Sequence, residues 1–270
     1  EVVPSPIADY TYEETCYDEP VFFTDLSTTN GGTDIMSWEW FFGDPNSGTE
    51  NTSTLQNPTH VFSDPGTYTT TLIIVSTLGC NDTTEQDITI DPAPDVDFTI
   101  LDDSICLGES AEFTGISTSD ISTWFWDFGD GGSSIEQNPT YMYSSPGTYI
   151  VTLTVTETGA DACQNSISYP IYVNDAPEAN FDYQNNCLGD STYFTDLSYS
   201  QTGFITSWDW DFGDGGTSTQ EDPTHYYLTN DTYQDTLIST DNYGCSDTIT
   251  QWIQIFDIPV PGFTFDQVCD

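Results

Sequence analysis

Two pairs of aspartates, Asp127/Asp130 and Asp211/Asp214, each sit three residues apart in the same surroundings, "WDFGDGG". Carboxylates at that spacing could do general acid–base work, one holding a proton while the other stays ionised. Their setting, however, returns once per copy of a longer segment: "SWEWFFGDPN" (37–46), "TWFWDFGDGG" (123–132) and "SWDWDFGDGG" (207–216). Recurrence in every copy argues for structure rather than for one active site. His60 and His225 share a repeat position that Tyr141 fills in the remaining copy. A histidine acting as base or metal ligand does not exchange with tyrosine, so turn packing is the better reading. Serines are abundant, but no GxSxG elbow exists and no lysine is available as a base. The sequence predicts no enzyme.

The charge balance excludes further classes. Among 270 residues there are 45 Asp plus Glu and no Lys or Arg, a formal net charge of −45. Nucleic acid is excluded as a partner, because its phosphates are neutralised by Lys and Arg. Anionic membrane surfaces repel such a chain, and no apolar run approaches the ~20 residues of a span, so no direct membrane contact is expected. The first residue is Glu1 rather than Met, which fits a removed signal peptide. A surface without Lys or Arg also offers trypsin-like proteases no site, which suits an extracellular, cell-surface location. Self-repulsion on this scale calls for salt or divalent cations. Acidity with low hydrophobicity would read as disorder. Here 14% aromatic residues and frequent Thr, Ile and Val supply strands with a core to bury.

The elements that must position these residues repeat. Tryptophan pairs fall at Trp38/Trp40, Trp124/Trp126 and Trp208/Trp210, each followed by a proline turn and then a "TY" corner at Tyr68, Tyr149 and Tyr233. Cys106 and Cys187 are 81 residues apart, Cys187 and Cys269 82, Cys80 and Cys163 83, and Cys163 and Cys245 82. A tandem repeat of about 82 residues results, with extra loop residues around "DPNSGTENTST" in copy one. Proline joints ("PAP", "DAP", "PVP") bound repeats at 7–91, 95–174 and 178–257. Residues 1–6 read as the end of a preceding repeat and its joint, and 261–270 as the start of a further one. Short proline joints are stiff spacers.

Inside a copy the period is two. "YTTTLIIV", "YIVTLTVT" and "YQDTLIST" alternate or run apolar as strands do. In "SWDWDFGDG", Trp208, Trp210 and Phe212 share one face and Asp209 and Asp211 the other. About seven short strands per copy predict an all-β fold of tandem immunoglobulin-like β-sandwiches in a rod-like array.

Seven cysteines in an acidic, extracellular-looking array imply disulfides. The obvious pairing is within each copy. Yet the first cysteine of a copy falls between its first two strands and the second falls in the turn between its last two. In an immunoglobulin-like topology these lie at opposite ends, some ~25 Å apart for strands of seven or eight residues. A disulfide needs Cα atoms within ~7 Å. The chain leaves each repeat at the first-cysteine end and enters the next at its second-cysteine end. The expected bonds are therefore Cys16–Cys163 and Cys106–Cys245, with Cys80 partnered by a preceding repeat and Cys187 and Cys269 by following ones. A rotated or strand-swapped first strand would restore pairing within a copy.

"WDFGDG", "NPTH", "SPGTY" and the closing "GCNDTTEQDITI" together resemble the PKD (polycystic kidney disease) domain, over all three copies. Copy one departs most, with "WFFGDPN". One cysteine before "FTDLS" and another at "GC" resembles repeats of large Bacteroidota surface proteins, including gliding-motility adhesins. The PKD resemblance implies calcium near "DFGD", at Asp127, Asp130, Asp211 and Asp214; Phe41 removes the first aspartate from copy one. Diffuse screening of an acidic face is the competing reading and the one favoured here. Asn51, Asn81 and Asn230 stand in N-x-S/T sequons. The Bacteroidota resemblance further implies O-linked sites at Thr83, Ser104, Ser191, Thr236 and Thr248, in a sequence whose abundance of Asp and Thr produces such matches by chance.

The function expected is a non-catalytic stalk or spacer of a secreted cell-surface adhesin or extracellular filament. Its partners would be neighbouring repeats of the same chain and an unidentified glycan or protein ligand. A carbohydrate- or protein-binding accessory module of a secreted hydrolase is one alternative, and a self-assembling filament subunit, a homopolymer, is another. Aromatics exposed off the core face would favour the accessory module; Phe41 and Phe125 are those on the outer side of the tryptophan strand, and Asp209 takes that slot in copy three.

Overall fold

The computed structural model of the chain describes residues 3–13, 15–159, 162–184, 186–259 and 261–262. Cys269 and its expected bond lie outside the described residues. The period-two pattern becomes strand wherever it was read. Along Ile205–Asp211 and into the next turn, Trp208 is half-buried and Trp210 and Phe212 are buried, while Asp209 and Asp211 are exposed.

Each repeat is a pair of sheets closing on one aromatic core. In repeat one, β1 (Tyr10–Tyr12), β2 (Val21–Asp25) and β5 (Thr59–His60) form a sheet in the order β1-β2-β5. Opposite it lie β3 (Ile35–Phe41), β4 (Thr52–Ser53), β6 (Gly66–Ser76) and β7 (Asn81–Ile90), ordered β4-β3-β6-β7. The extra residues of copy one form a 3-10 turn over Pro45–Asn51. Repeat two repeats the plan with β8 (Asp97–Ile100), β10 (Ala111–Ile116) and β13 (Thr140–Tyr141) against a larger sheet. That sheet holds β11 (Ile121–Asp127), β12 (Ser133–Ser134), β14 (Gly147–Glu157), β15 (Gln164–Asn174) and the short β9 (Ser104–Cys106). In repeat three β16 (Phe181–Gln184), β17 (Thr192–Asp196) and β20 (Thr224–His225) face β18 (Ile205–Asp211), β19 (Thr217–Ser218), β21 (Thr232–Asp241) and β22 (Ser246–Gln254).

Three separate buried clusters, one per repeat, centre on Trp40, Trp126 and Trp210. Each indole N–H donates to a backbone carbonyl, of Leu55, Glu136 or Gln220, at 2.8–2.9 Å, so the large ring is buried with its polar atom satisfied. The same register shift interrupts β3, β11 and β18 just before the first tryptophan, a bulge made three times. Gly43, Gly129 and Gly213 follow in the left-handed region (φ 73°, 82° and 72°). A Cβ there would come within 2.5–2.8 Å of the backbone of Thr69, Ile150 or Gln234, so only glycine closes the turn.

The first strand departs from the sequence-based expectation. Each repeat's first cysteine does not sit in a plain loop between strands one and two. The chain crosses to the second sheet and runs beside its last strand, in parallel: Cys106 opposite Asn174 in β9–β15, Cys16 opposite Asp91, Cys187 opposite Phe256. Crossing does not bring the two cysteines of a repeat together. Because the pairing is parallel, Cys106 lies at the exit end of β15, while Cys163 precedes its first residue, Gln164. Eleven residues at ~3.3 Å each hold them roughly 33 Å apart.

Candidate functional site

The acidic turns are held by their own backbone. Asp127 Oδ1 accepts the Gly129 amide and Asp130 Oδ1 the Gly132 amide, each at 2.9 Å. Asp211 and Asp214 do the same for Gly213 and Gly216 at 2.9 and 2.8 Å. Such Asx turns let a carboxylate stand in for a backbone acceptor. The second aspartate also takes a ring from the neighbouring sheet. Tyr141 donates its hydroxyl to Asp130 at 3.0 Å, and His225 Nε2 lies 2.9 Å from Asp214 Oδ2.

This geometry explains why histidine and tyrosine exchange at one position. His60, Tyr141 and His225 stack on Phe42, Phe128 and Phe212 with centroids 4.3, 3.9 and 4.2 Å apart. Each then points a hydrogen-bonding atom at the turn aspartate. Either ring supplies a flat face and a donor, and that is all the turn uses. In repeat one the aspartate is buried: Asp44 accepts the Ser63 amide (2.8 Å), the Ser63 hydroxyl (2.6 Å) and His60 Nε2 (3.2 Å). Burial opposes ionisation of Asp44, but these bonds outweigh it and hold its carboxyl below the usual range. The His60 imidazole is pushed down by the same burial, against the pull of Asp44. In repeat three burial likewise opposes ionisation of Asp214, and the bonds from His225 and Gly216 carry it below the usual range. Among the described residues no three His, Cys, Asp or Glu side chains converge as metal ligands would.

"FTDLS" has its own use for aspartate. Trp38 Nε1 donates to Asp25 and Trp208 Nε1 to Asp196, both at 2.8 Å. Copy two reads "FTGIS", and there the Trp124 ring lies where a Cβ on Gly115 would have to be, at 2.6 Å.

The cysteines meet between repeats. Cys16 bonds Cys163 and Cys106 bonds Cys245, each with Cα atoms 5.6 Å apart, at sequence separations of 147 and 139. Among the described residues, Cys80 and Cys187 bond no other cysteine. The joint is supported on the peptide side as well, since Asn165 Nδ2 donates to the Pro94 carbonyl at 2.8 Å. Clefts line both seams: Asp91 and Pro92 with Glu157 and Cys163 at the first, Tyr172 and Asn174 with Thr202 and Tyr243 at the second.

Of the residues matching modification motifs, Thr83, Ser104, Thr248, Asn81 and Asn230 are exposed, and Ser191, Thr236 and Asn51 are half-buried. Asn230 Nδ2, the atom an N-linked glycan would occupy, donates to Asp257 at 2.6 Å. Exposed aromatics are more numerous than the tryptophan strand suggested. Phe41 and Phe125 are joined by Phe22, Tyr193, Phe204 and Trp252, the last 65% exposed. Sequence reading also missed Asp235. It is fully buried on β21, its carboxylate accepts the Tyr227 hydroxyl, and among the described residues its Oδ1 has no partner. The signal was in the repeat itself, because copies one and two place Thr70 and Val151 there.

The family described as PKD domain matches residues 3–90, 91–171 and 174–255. The pre-pro-metalloprotease PrtV of Vibrio cholerae is 32% identical over 100 residues, covering 37% of this chain and 11% of its own length. Collagenase ColA of Clostridium perfringens is 35% identical over 83 residues, 29% of this chain and 7% of that protein. The chain thus spans about a tenth or less of these curated relatives. Among solved structures, the PKD1 domain of the Vibrio cholerae metalloprotease PrtV is 40% identical, covers 30% of this chain and 98% of its own, and has a TM-score of 0.29.

Proposed function

From the premise that the chain belongs to the PKD domain family, in three tandem copies, we propose that it is a non-catalytic extracellular spacer whose joints are stapled against bending. The observation that carries this reading is the pair of disulfides joining consecutive repeats. A single peptide link leaves two sandwiches free to swing. A second covalent tether across the same seam leaves them one axis at most. Disulfides persist in oxidising surroundings, which supports an extracellular location. Among the described residues no helix is long and apolar enough to cross a membrane. Attachment to a cell-surface adhesin or filament belongs to the same proposal, and the Bacteroidota style of cysteine placement is its support.

Small-angle scattering tests the staple. The oxidised chain is expected to give the pair-distance distribution of one extended body. The doubly substituted Cys16→Ser, Cys106→Ser chain should give a broader distribution with a shorter mean end-to-end distance. Identical profiles would overturn the stapled-spacer reading.

Cations enter as counter-ions. Asp130 and Asp214 each meet an amide and a ring, and Asp127 and Asp211 an amide alone; diffuse screening is the reading taken here over a calcium coordinated at Asp127, Asp130, Asp211 or Asp214. Chelation at low salt should then lower the melting temperature. The effect should fade as added monovalent salt shortens the screening length to ~10 Å at 0.1 M. A loss that survives high salt would instead favour a bound ion.

An accessory module of a secreted hydrolase is a second reading, favoured by the relatives named as proteases and by Trp252, exposed on the last strand of repeat three. Retention on an insoluble polysaccharide or collagen, abolished by Trp252→Ala, would support it over the spacer.

A further inference from the structure

The joint between repeats two and three forms a cleft of about 490 Å³ whose walls belong to different repeats. Repeat two supplies Tyr172 and Asn174 at the end of β15 and Thr148 at the start of β14. Repeat three supplies Thr202 and Tyr243. The Tyr172 and Tyr243 side chains stay 45% and 43% exposed, although a disulfide closes the same joint. Small-molecule sites occupy ~300–1,000 Å³ and combine aromatic walls with a few polar groups, and this cleft has both.

Tyr243 is fixed in position by its neighbours. Asn242 donates its amide to the Phe204 carbonyl at 3.0 Å and accepts the Phe204 amide on Oδ1 at 2.8 Å. A Cβ on Gly203 would come within 2.9 Å of the Tyr243 ring, so glycine lets the ring lie against that loop. The joint itself calls for neither tyrosine. The first seam is closed by the equivalent disulfide, Cys16–Cys163. There Thr89, opposite Thr67, holds the register position that Tyr172 holds opposite Thr148. Asp161 stands two residues before Cys163, as Tyr243 does before Cys245. Two large rings half in water at one seam, and absent from the other, are free to meet a ligand.

Charge narrows the class of ligand. Four other clefts of the chain carry carboxylates, among them Glu109, Asp91, Asp103 and Glu50, whereas the residues lining this one carry none. A cation finds no counter-charge in the lining. An anion is repelled by a chain with 45 carboxylates and no Lys or Arg. What the cleft offers is neutral. Asn174 donates Nδ2 to the Ser104 hydroxyl at 2.9 Å and to the Ile105 carbonyl at 3.3 Å, and among the described residues nothing donates to its Oδ1. A pyranose ring matches such a lining. Its C–H face lies flat on an aromatic ring, and its hydroxyls exchange hydrogen bonds with amide and hydroxyl groups at the rim.

We propose that this joint binds a neutral saccharide, with Tyr172 of one repeat and Tyr243 of the next as its aromatic walls. Asn174 Oδ1 and the Thr148 and Thr202 hydroxyls meet the sugar hydroxyls. The inference rests on the stapled-spacer reading for the joint that supplies both walls, and it adds a ligand to that spacer.

Saturation-transfer NMR on the full chain tests it, with the neutral hexamers of cellulose, amylose and chitin as probes. A galacturonic acid hexamer, choline and decaproline serve as anionic, cationic and peptide controls. The expected result is transfer to the ring C–H protons of at least one neutral hexamer and to none of the controls. Titration should then show Kd raised about tenfold or more by Tyr172→Ala and by Tyr243→Ala, with parental melting transitions because both side chains are half-exposed. Tyr243→Phe keeps the ring and should stay within about twofold of the parent, as should Trp252→Ala toward the other end of β22. No transfer to any neutral hexamer, a control bound in its place, or binding that survives both tyrosine-to-alanine changes overturns the proposal. So does binding abolished by Trp252→Ala alone. Scattering decides the staple separately, so a rigid chain that binds no neutral hexamer sinks this inference and leaves the spacer standing.

Discussion

Trp126→Ala is expected to destabilise repeat two by roughly 3–5 kcal/mol, the range for removing a large buried aromatic. Trp126 is 0% exposed and packs edge-on to Phe98 and obliquely to Phe113, at centroid distances of 5.0 and 5.5 Å. Its loss also strands the Glu136 carbonyl that the indole N–H satisfies. A small domain is stable by only about 5–15 kcal/mol, so the change removes a large share of what holds repeat two together. Each repeat has its own core cluster, so repeats one and three should keep their own transitions. Trp210→Ala should do the same to repeat three. Phe125→Ala is the control: its side chain is on the same strand, one residue away, and 48% exposed. Its effect should stay within about 0.5 kcal/mol. Denaturant unfolding followed by fluorescence and by residue-level hydrogen exchange reads both. A near-neutral Trp126→Ala would mean that the tryptophan strand does not face the core.

Much of this was legible because the chain states its pattern three times. Alternation around Trp208 and Trp210 gives the strand and its buried face, and the "GDGG" turn follows from glycine's access to positive φ. The joint bonds Cys16–Cys163 and Cys106–Cys245 were legible from strand direction alone, since direction decides which ends meet. The crossing of the first strand was not. "DDSIC" carries three residues of parallel pairing, too few for a period to show, and among the described residues repeats one and three each make a single bridge there. The conclusion survived because parallel pairing leaves Cys106 at the far end of β15 either way. The partners of the turn aspartates were hidden for another reason. His60 lies 16 residues from Asp44 in copy one and His225 lies 11 from Asp214 in copy three, and only the folded stack of Phe212 on His225 aims the ring at Asp214. Asp235 escaped because its position alternates with polar neighbours as a surface residue would, and only comparison with Thr70 and Val151 marks it as a core site.

That buried aspartate should make repeat three weaken as pH rises, the reverse of repeat one. Burial pushes the Asp235 carboxyl up to about 7, with the Asp214 and Asp211 carboxylates adding to it against the Tyr227 hydrogen bond. In the unfolded chain the same group titrates near ~3.9. Between those values the folded repeat holds a proton that the unfolded chain has released. Stability from this group is therefore complete below about pH 4 and is lost as pH climbs through about 7. Three pH units at ~1.4 kcal/mol each make the loss about 4 kcal/mol. Asp44 in repeat one has the opposite sign: its carboxyl is held low, so its contribution is present near neutrality and lost on acidification. Repeat two shows how to remove the alkaline weakness. There Val151 fills the position of Asp235, and the Tyr143 hydroxyl, equivalent to that of Tyr227, donates instead to the Phe128 carbonyl at 3.1 Å. Asp235→Val should let Tyr227 turn to the matching Phe212 carbonyl. The variant's repeat-three transition should be flat between pH 5 and 8, where the parent's falls, and the two chains should differ most at pH 8. A parent transition that does not move between pH 5 and 8 would show that Asp235 is ionised in the fold, and an Asp235→Val chain less stable than the parent at pH 8 would show that its charge is held by contacts worth more than burial removes.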